Sequence, residues 1–405
     1  MTQVLTEPET TDHAETIQPL ATPNRLGAVT ISVSCVAVAT LMAVPWSPVA
    51  RYFSLPSSTT DIGTHVKLAE EIATNGIPFP HFLWHVLVVA VHAVAPRLSW
   101  MDAAWIVVLA SYALQGALLA VVLTRVLPLT KKSHLLAIVF LTLLFVTAAP
   151  VTVLTWREWA LYYGYLNMDP YTSPTHALLK PLAIVAFGLT AKAFADGGNL
   201  RDGLMVSAAV TLSALAKPSL TICLVPATVV LAAWYRAGGR RVHVSYLCGA
   251  ILLPAVAVLA WQYLSYFATY ARSSIIVAPF LVMAHYATNL APKFLMSILL
   301  PLAVLFEYGR KVFDDPSMQL AWIQFAFASI YTYLLAETRD PLAGNFAWTG
   351  QISNYVLFIA SALFVLRHRE APSRTMPCAV AFGLHAASGL LFFVFPGSTG
   401  TIPAS

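Results

Sequence analysis

Eleven apolar runs pace this chain, at 26–44, 103–124, 134–154, 176–195, 203–215, 219–235, 244–266, 290–306, 318–335, 351–366 and 377–395. A membrane crossing takes about 20 mostly apolar residues, and backbone in lipid must satisfy its own hydrogen bonds. The expected fold is therefore an all-α polytopic membrane protein with about 11 transmembrane helices. Composition points the same way. Only 10% of the 405 residues are charged, against about 25% in soluble domains, and mean hydropathy is +0.72. The net charge of +5 then reads as the basic excess of cytoplasmic loops and calls for no nucleic-acid partner. Cys35, Cys223, Cys248 and Cys378 lie in apolar runs without a CxxC spacing, which speaks against a disulfide framework or a cysteine metal site.

Residues 1–24 are rich in Thr, Glu and Pro and read as a disordered cytoplasmic tail. Residues 25–396 read as a single transmembrane domain, and 397–405 as a short external tail. The ambiguous segment is 81–96, apolar but short, and carrying His81, His85 and His92. Loop charge decides its placement. If it lies in the membrane interface without crossing, one side of the membrane collects Arg25, Arg125, Lys131, Lys132, Lys192, Arg201, Arg236, Arg240, Arg241, Arg310, Lys311, Arg367, Arg369 and Arg374. Those are fourteen of the 23 Lys and Arg residues. The positive-inside rule makes that side cytoplasmic. The amino terminus is then inside, and 45–102 is one long external loop carrying interfacial amphipathic helices.

This topology gathers the remaining polar groups on the outer face. The acids are Asp61, Glu158, Asp169, Glu337 and Asp340, and the bases are Lys180, Lys217, Arg272, Lys293 and Arg339. A carboxylate can accept a proton from an attacking hydroxyl, and Lys or Arg can hold a phosphate. Together they are the parts needed to move a group from a phosphate carrier to an acceptor at the membrane surface. Asp61 leads the set, because it opens the polar run Asp61-Ile62-Gly63-Thr64-His65 just past the first apolar segment. The plainer reading makes Asp61 a helix N-cap after Thr59-Thr60. Asp61 and His65 share a helix face at i,i+4, as do His81 and His85. Imidazoles so spaced suit Zn or Mn, the alternative being histidines of an interfacial helix. Lys217, in Leu215-Ala216-Lys217-Pro218, is either a phosphate ligand held at a fixed turn or a side chain snorkelling to the headgroups. Glu337 and Arg339 line the site or pair with each other.

The pattern resembles the GT-C class of integral membrane glycosyltransferases, nearest to the aminoarabinose transferase and protein mannosyltransferase branch. The match rests on architecture and two short signatures. One is an acid early in the first external loop, followed by an amphipathic helix, a Pro-containing turn and a second interfacial helix. Here it is Asp61 to His65, Glu70-Glu71, Asn75-Gly76-Ile77-Pro78, and Pro80-His81-Phe82-Leu83-Trp84-His85. The other is Leu215-Ala216-Lys217-Pro218, similar to that branch's Thr-Lys-Gly turn. The resemblance implies a polyprenyl-phosphate-linked sugar as donor, a glycan, lipid or protein acceptor, and chemistry outside the cytoplasm. It implies Asp61 as the base and Lys217 beside the lipid phosphate. That branch commonly carries Asp-Glu where this chain has Asp61-Ile62, so the second acid falls to Glu158 or Asp169 in the next external loop. His65, His85, Lys180, Arg272, Glu337 and Arg339 complete the expected substrate-binding set.

The expected activity is inverting sugar transfer at the cell membrane, with no cofactor required and a divalent metal (Mg or Mn) permitted. A transporter or lipid-linked-sugar flippase is the rival class. It would show inverted repeats and charges inside broken helices near the bilayer midplane. A non-catalytic envelope scaffold is a third reading.

Overall fold

The computed structural model describes residues 25–55, 60–76, 80–129, 132–152, 164–168, 171–265, 273–369 and 372–394. The chain is helical almost throughout. In order come α1 (Arg25–Ala43), α2 (Pro48–Ser54), α3 (Asp61–Asn75), α4 (Leu83–Val94), α5 (Trp100–Val126), α6 (Lys132–Thr147), α7 (Pro174–Ala195), α8 (Leu200–Ala216) and α9 (Thr221–Ala237). A helical stretch over Val244–Ser265 follows, comprising α10 (Val244–Tyr246), a π-turn (Leu247–Leu252) and α11 (Leu253–Gln262). The rest is β1 (Ile275–Val277), α12 (Leu281–Tyr286), α13 (Leu290–Ser297), α14 (Leu299–Tyr308), α15 (Pro316–Leu334), β2 (Leu335–Glu337), α16 (Ala347–Arg367) and α17 (Pro372–Val394). β1 and β2 pair antiparallel, with Ile276 opposite Ala336.

Each of the eleven apolar runs contains a helix among the described residues, although α6 stops at Thr147, the 290–306 run breaks at Ile298 and the 318–335 run ends in β2. Among the described residues, six helices are long and apolar enough to cross a membrane: Arg25–Ala43, Trp100–Val126, Pro174–Ala195, Val244–Ser265, Ala347–Arg367 and Pro372–Val394. A seventh joins them if Leu290–Ser297 and Leu299–Phe313, which meet at 66°, form one broken span. Three apolar helices among the described residues are shorter: α4 with 12 residues, α6 with 16 and α9 with 17. At 1.5 Å per residue they reach about 18, 24 and 26 Å, short of the roughly 30 Å hydrocarbon core.

Helix starts follow local chemistry. Ser99 and Asp102 close a capping box on α5, Asn199 caps α8 through its Oδ1, and Asp315 accepts from the N–H groups of Ser317 and Met318 to start α15. Ion pairs join neighbouring helices at the turns. Lys192 Nζ lies 2.8 Å from Asp202 across the α7–α8 connection, and Arg367 Nη1 lies 2.8 Å from Asp315. α3 ends at Gly76, whose φ of 63° is a left-handed conformation that glycine adopts without a Cβ penalty.

α7 and α16 form the centre. α7 packs on α5, α8, α15 and α16, and α16 also packs on α14, α15 and α5. Polar locks fix the registers inside this core. Gln115 Nε2 donates to the Tyr355 hydroxyl at 2.9 Å, tying α5 to α16. Asn354 Nδ2 donates to the carbonyls of Leu166 and Ser297, and the Leu166 N–H donates to Ser297 Oγ. Those three bonds hold residues 164–168 against α13 and α16. α3 and α4 pack on each other and on α5 and α7. Gln262 Nε2 anchors the approach to α4 by donating to the Pro80 and Ala214 carbonyls at 2.7 and 2.8 Å.

Candidate functional site

One end of the bundle assembles a buried polar cluster from four separate parts of the chain. α3 brings Asp61 and His65, α4 brings His85, the start of α7 brings Ser173 and Thr175, and the α8–α9 turn brings Lys217. Trp348, from the first turn of α16, closes over it.

Thr60 is the N-cap of α3, its hydroxyl accepting from the Gly63 N–H at 3.1 Å. Asp61 is therefore the first helical residue, and its carboxyl is not used for capping. Across one helical turn, Asp61 Oδ1 lies 3.6 Å from His65 Nε2. His65 Nδ1 in turn lies 2.9 Å from His85 Nε2. The two histidines are buried, at 8% and 0% exposure, so they are not an interfacial stripe. On its other side Asp61 accepts from the Ser173 hydroxyl. Ser173 holds the N-cap position of α7, yet its side chain makes no capping bond. Its hydroxyl is engaged across the cluster instead, accepting from Lys217 Nζ at 3.2 Å. Lys217 Nζ also reaches Thr175 Oγ1 at 3.4 Å and lies 3.5 Å from the centre of the Trp348 ring, a cation–π contact. The lysine is buried and held from three sides, which excludes snorkelling. Asp61 and Lys217 thus stand on either side of one serine hydroxyl.

Electrostatics follow from this geometry. Burial raises the Asp61 carboxyl above the ordinary range of 3.8, against the lowering pull of the Lys217 charge, the Ser173 hydrogen bond and His85. The carboxyl is 41% exposed along one face, so solvent there tempers the rise. Burial and then the charge of Lys217 push His65 down to about 3. Burial and then His65 push His85 to about 3, opposed by the His81 and Phe82 carbonyls and Asp61. Both rings are neutral at pH 7. Burial lowers Lys217 to about 8, opposed by attraction to Asp61, so it stays mostly cationic there. A carboxylate with raised basicity beside a buried ammonium is the pairing needed for proton abstraction next to an anion site.

The other expected residues distribute as follows. Lys180 is buried, one turn further along α7 from His176, with its ammonium 5.5 Å from the Tyr112 ring centre and 5.6 Å from that of Tyr355. Glu337 ends β2. It accepts from Asn345 Nδ2 at 2.9 Å and borders a small cleft with Val282, Thr332 and Asp340. Arg339 is exposed beside it. Glu158, Asp169 and Arg272 lie outside the described residues. The 156–175 loop was expected to supply a second acid. What it is seen to bring to Asp61 is the Ser173 hydroxyl. Among the described residues no three His, Cys, Asp or Glu side chains are grouped to hold a metal ion.

Sequence reasoning missed Ser173, Thr175 and Trp348. Ser173-Pro174-Thr175 carried one usable signal, a helix start with proline at its first position. Trp348 was legible only as part of the 337–348 stretch expected to line the site. No protein-family model matches the chain, and neither does any curated protein or solved structure.

Proposed function

We propose that this chain is a membrane glycosyltransferase that moves a sugar from a polyprenyl-phosphate donor to a hydroxyl of a glycan, lipid or protein acceptor. The reading places the amino terminus in the cytoplasm, eleven crossings in the bilayer, and α3 and α4 on the extracytoplasmic surface. The observation that carries it is the meeting of Asp61 and Lys217 around Ser173. The acceptor oxygen attacks the anomeric carbon from the face opposite the phosphate. Its proton passes to Asp61 as the new C–O bond forms. The bond from the anomeric carbon to the phosphate oxygen breaks, and polyprenyl phosphate leaves as an anion that Lys217 stabilises. The start of α7 helps, because unpaired N–H groups and the helix dipole favour negative charge there. The GT-C resemblance supplies the donor class. No cofactor enters the scheme.

The test is transfer from a panel of polyprenyl-phosphate sugars by protein reconstituted in liposomes. Loss of a general base costs about 10²- to 10⁴-fold, so Asp61→Asn should lose at least a hundredfold with folding intact. Full activity in that variant removes Asp61 as base.

A second reading has one observation in its favour. The 66° break between α13 and α14, close to the buried Lys293, is the kind of interrupted helix that transporters use at their substrate sites. Labelled lipid-linked sugar crossing the liposome membrane, with none transferred, would select a flippase.

A further inference from the structure

His176 has no role in the reaction just described, and its setting asks for one. It is fully buried in the first turns of α7, at 0% exposure. Neither ring nitrogen has a hydrogen-bond partner. A neutral imidazole carries one donor and one acceptor, and native proteins rarely leave such groups unpaired at depth. Here both are unpaired, in a polar neighbourhood. The Trp348 ring centre is 5.6 Å away, the same ring that covers Lys217. The charges of both Lys180 and Lys217 act on the His176 ring. Lys180 follows His176 by four residues, on the same face of α7. An unpartnered imidazole flanked by two buried ammonium groups, beside a helix start, matches an anion. It matches a second cation or an apolar group poorly.

We infer that His176 is a direct ligand of the donor's phosphate. Its ring N–H donates to a non-bridging oxygen, and Lys217 and Lys180 flank the same group. The ligand class is a phosphate ester of an isoprenoid alcohol. The inference rests on the glycosyltransferase reading and adds a binding residue to it.

Saturable binding of radiolabelled farnesyl phosphate to the full chain in nanodiscs tests this, with farnesol and dioleoyl phosphatidic acid as competitors. Variants are compared only where their thermal unfolding stays close to wild type. Wild type and Asp61→Asn should both bind. His176→Phe keeps a ring against Trp348 and removes both nitrogens, and should weaken binding at least tenfold. His176→Gln restores a donor and an acceptor and should recover most of that loss. Farnesol should not compete. Lys180→Met is an independent variant, for use if His176→Phe fails to fold, and should also weaken binding about tenfold. If His176→Phe and Lys180→Met bind like wild type while Lys217→Met is weakened, the His176 assignment fails and the parent reading stands. If wild type does not bind farnesyl phosphate, both fail. Phosphatidic acid competing as well as farnesyl phosphate overturns the isoprenoid assignment.

Discussion

His65 Nδ1 and His85 Nε2 lie 2.9 Å apart although 20 residues separate them in sequence. This contact fastens α3 to α4 and aims the other nitrogen of His65 at Asp61. Two neutral imidazoles in this arrangement share a single N–H, so one ring must donate and the other accept. The pair backs Asp61, with His65 Nε2 3.6 Å from its Oδ1. Truncating either ring leaves its buried partner unsatisfied, which costs about 1–3 kcal/mol. A double-mutant cycle on His65→Phe and His85→Phe, read by thermal unfolding in detergent, should give a coupling of about 1 kcal/mol. Additive losses would mean that the two rings do not depend on each other.

On the proposed mechanism, the pH profile of transfer follows from the two charged members of the cluster. A base at Asp61 must be ionised, and the carboxyl is raised above 3.8, so activity should climb with pH through a midpoint above that value. A phosphate site at Lys217 needs the ammonium, which is lowered to about 8, so activity should decline as pH rises through that region. The expected profile of kcat/KM is a bell with its alkaline limb near pH 8. An alkaline limb that stays put in Lys217→Met would assign that limb to another group.

How much of this was legible beforehand depends on the range of the contact. The apolar runs carry helices because their pattern is local, and the short length of 81–96 was legible in the sequence for the same reason. Asp61, His65, His85 and Lys217 were named from local context and do meet. Their meeting could not be read from spacing, because it depends on how α3 packs against α4 and α7 and where the α8–α9 turn comes to lie. Ser173 and Trp348 escaped notice for a related reason. A serine before Pro174 looks like a cap, and only the packed structure shows its hydroxyl turned toward Asp61 and Lys217. Glu337 and Arg339 looked like site residues because topology placed them on the same face. In the structure Glu337 pairs with Ile275 across the β1–β2 ribbon and accepts from Asn345.

Lys217 separates a charge effect from a packing effect. Its ammonium contacts Ser173, Thr175 and the Trp348 ring. Lys217→Met keeps much of the stem and removes the charge. A hydrogen bond to a charged group contributes about 1.5–3 kcal/mol, so kcat/KM for the lipid-linked donor should fall about 10- to 100-fold. The acceptor KM should stay nearly constant. A loss confined to the acceptor would move Lys217 to the other substrate.

Trp348 keeps its place because α15 and α16 approach closely just below it. A Cβ on Gly350 would stand 2.6 Å from Thr332 Oγ1 and 2.8 Å from Leu166 Cδ2, and the Gly350 N–H donates to that same threonine oxygen at 3.1 Å. Overpacking of this kind costs about 1–3 kcal/mol. Gly350→Val should lower the thermal midpoint and loosen the Trp348 cover, with weaker quenching of tryptophan emission by Lys217. Wild-type stability in Gly350→Val would show that the two helices are free to separate.

Side of exposure provides a check on the proposed topology that does not depend on activity. Eight proposed crossings lie between α3 and the β2–α16 connection, so Lys67 and Asp340 belong on one face if α4 does not cross. If α4 crosses, the two residues fall on opposite faces. Lys67, Asp340, Arg240 and Lys311 are all exposed, and the four native cysteines are free, so the test uses a background in which alanine replaces them. In that background, Lys67→Cys and Asp340→Cys should both react with a membrane-impermeant maleimide on intact cells. Arg240→Cys and Lys311→Cys should react only after permeabilisation. Labelling that separates Lys67→Cys from Asp340→Cys would turn α4 into a crossing helix. It would also place the lysine- and arginine-rich loops after it on the outside, against the charge rule that oriented the chain.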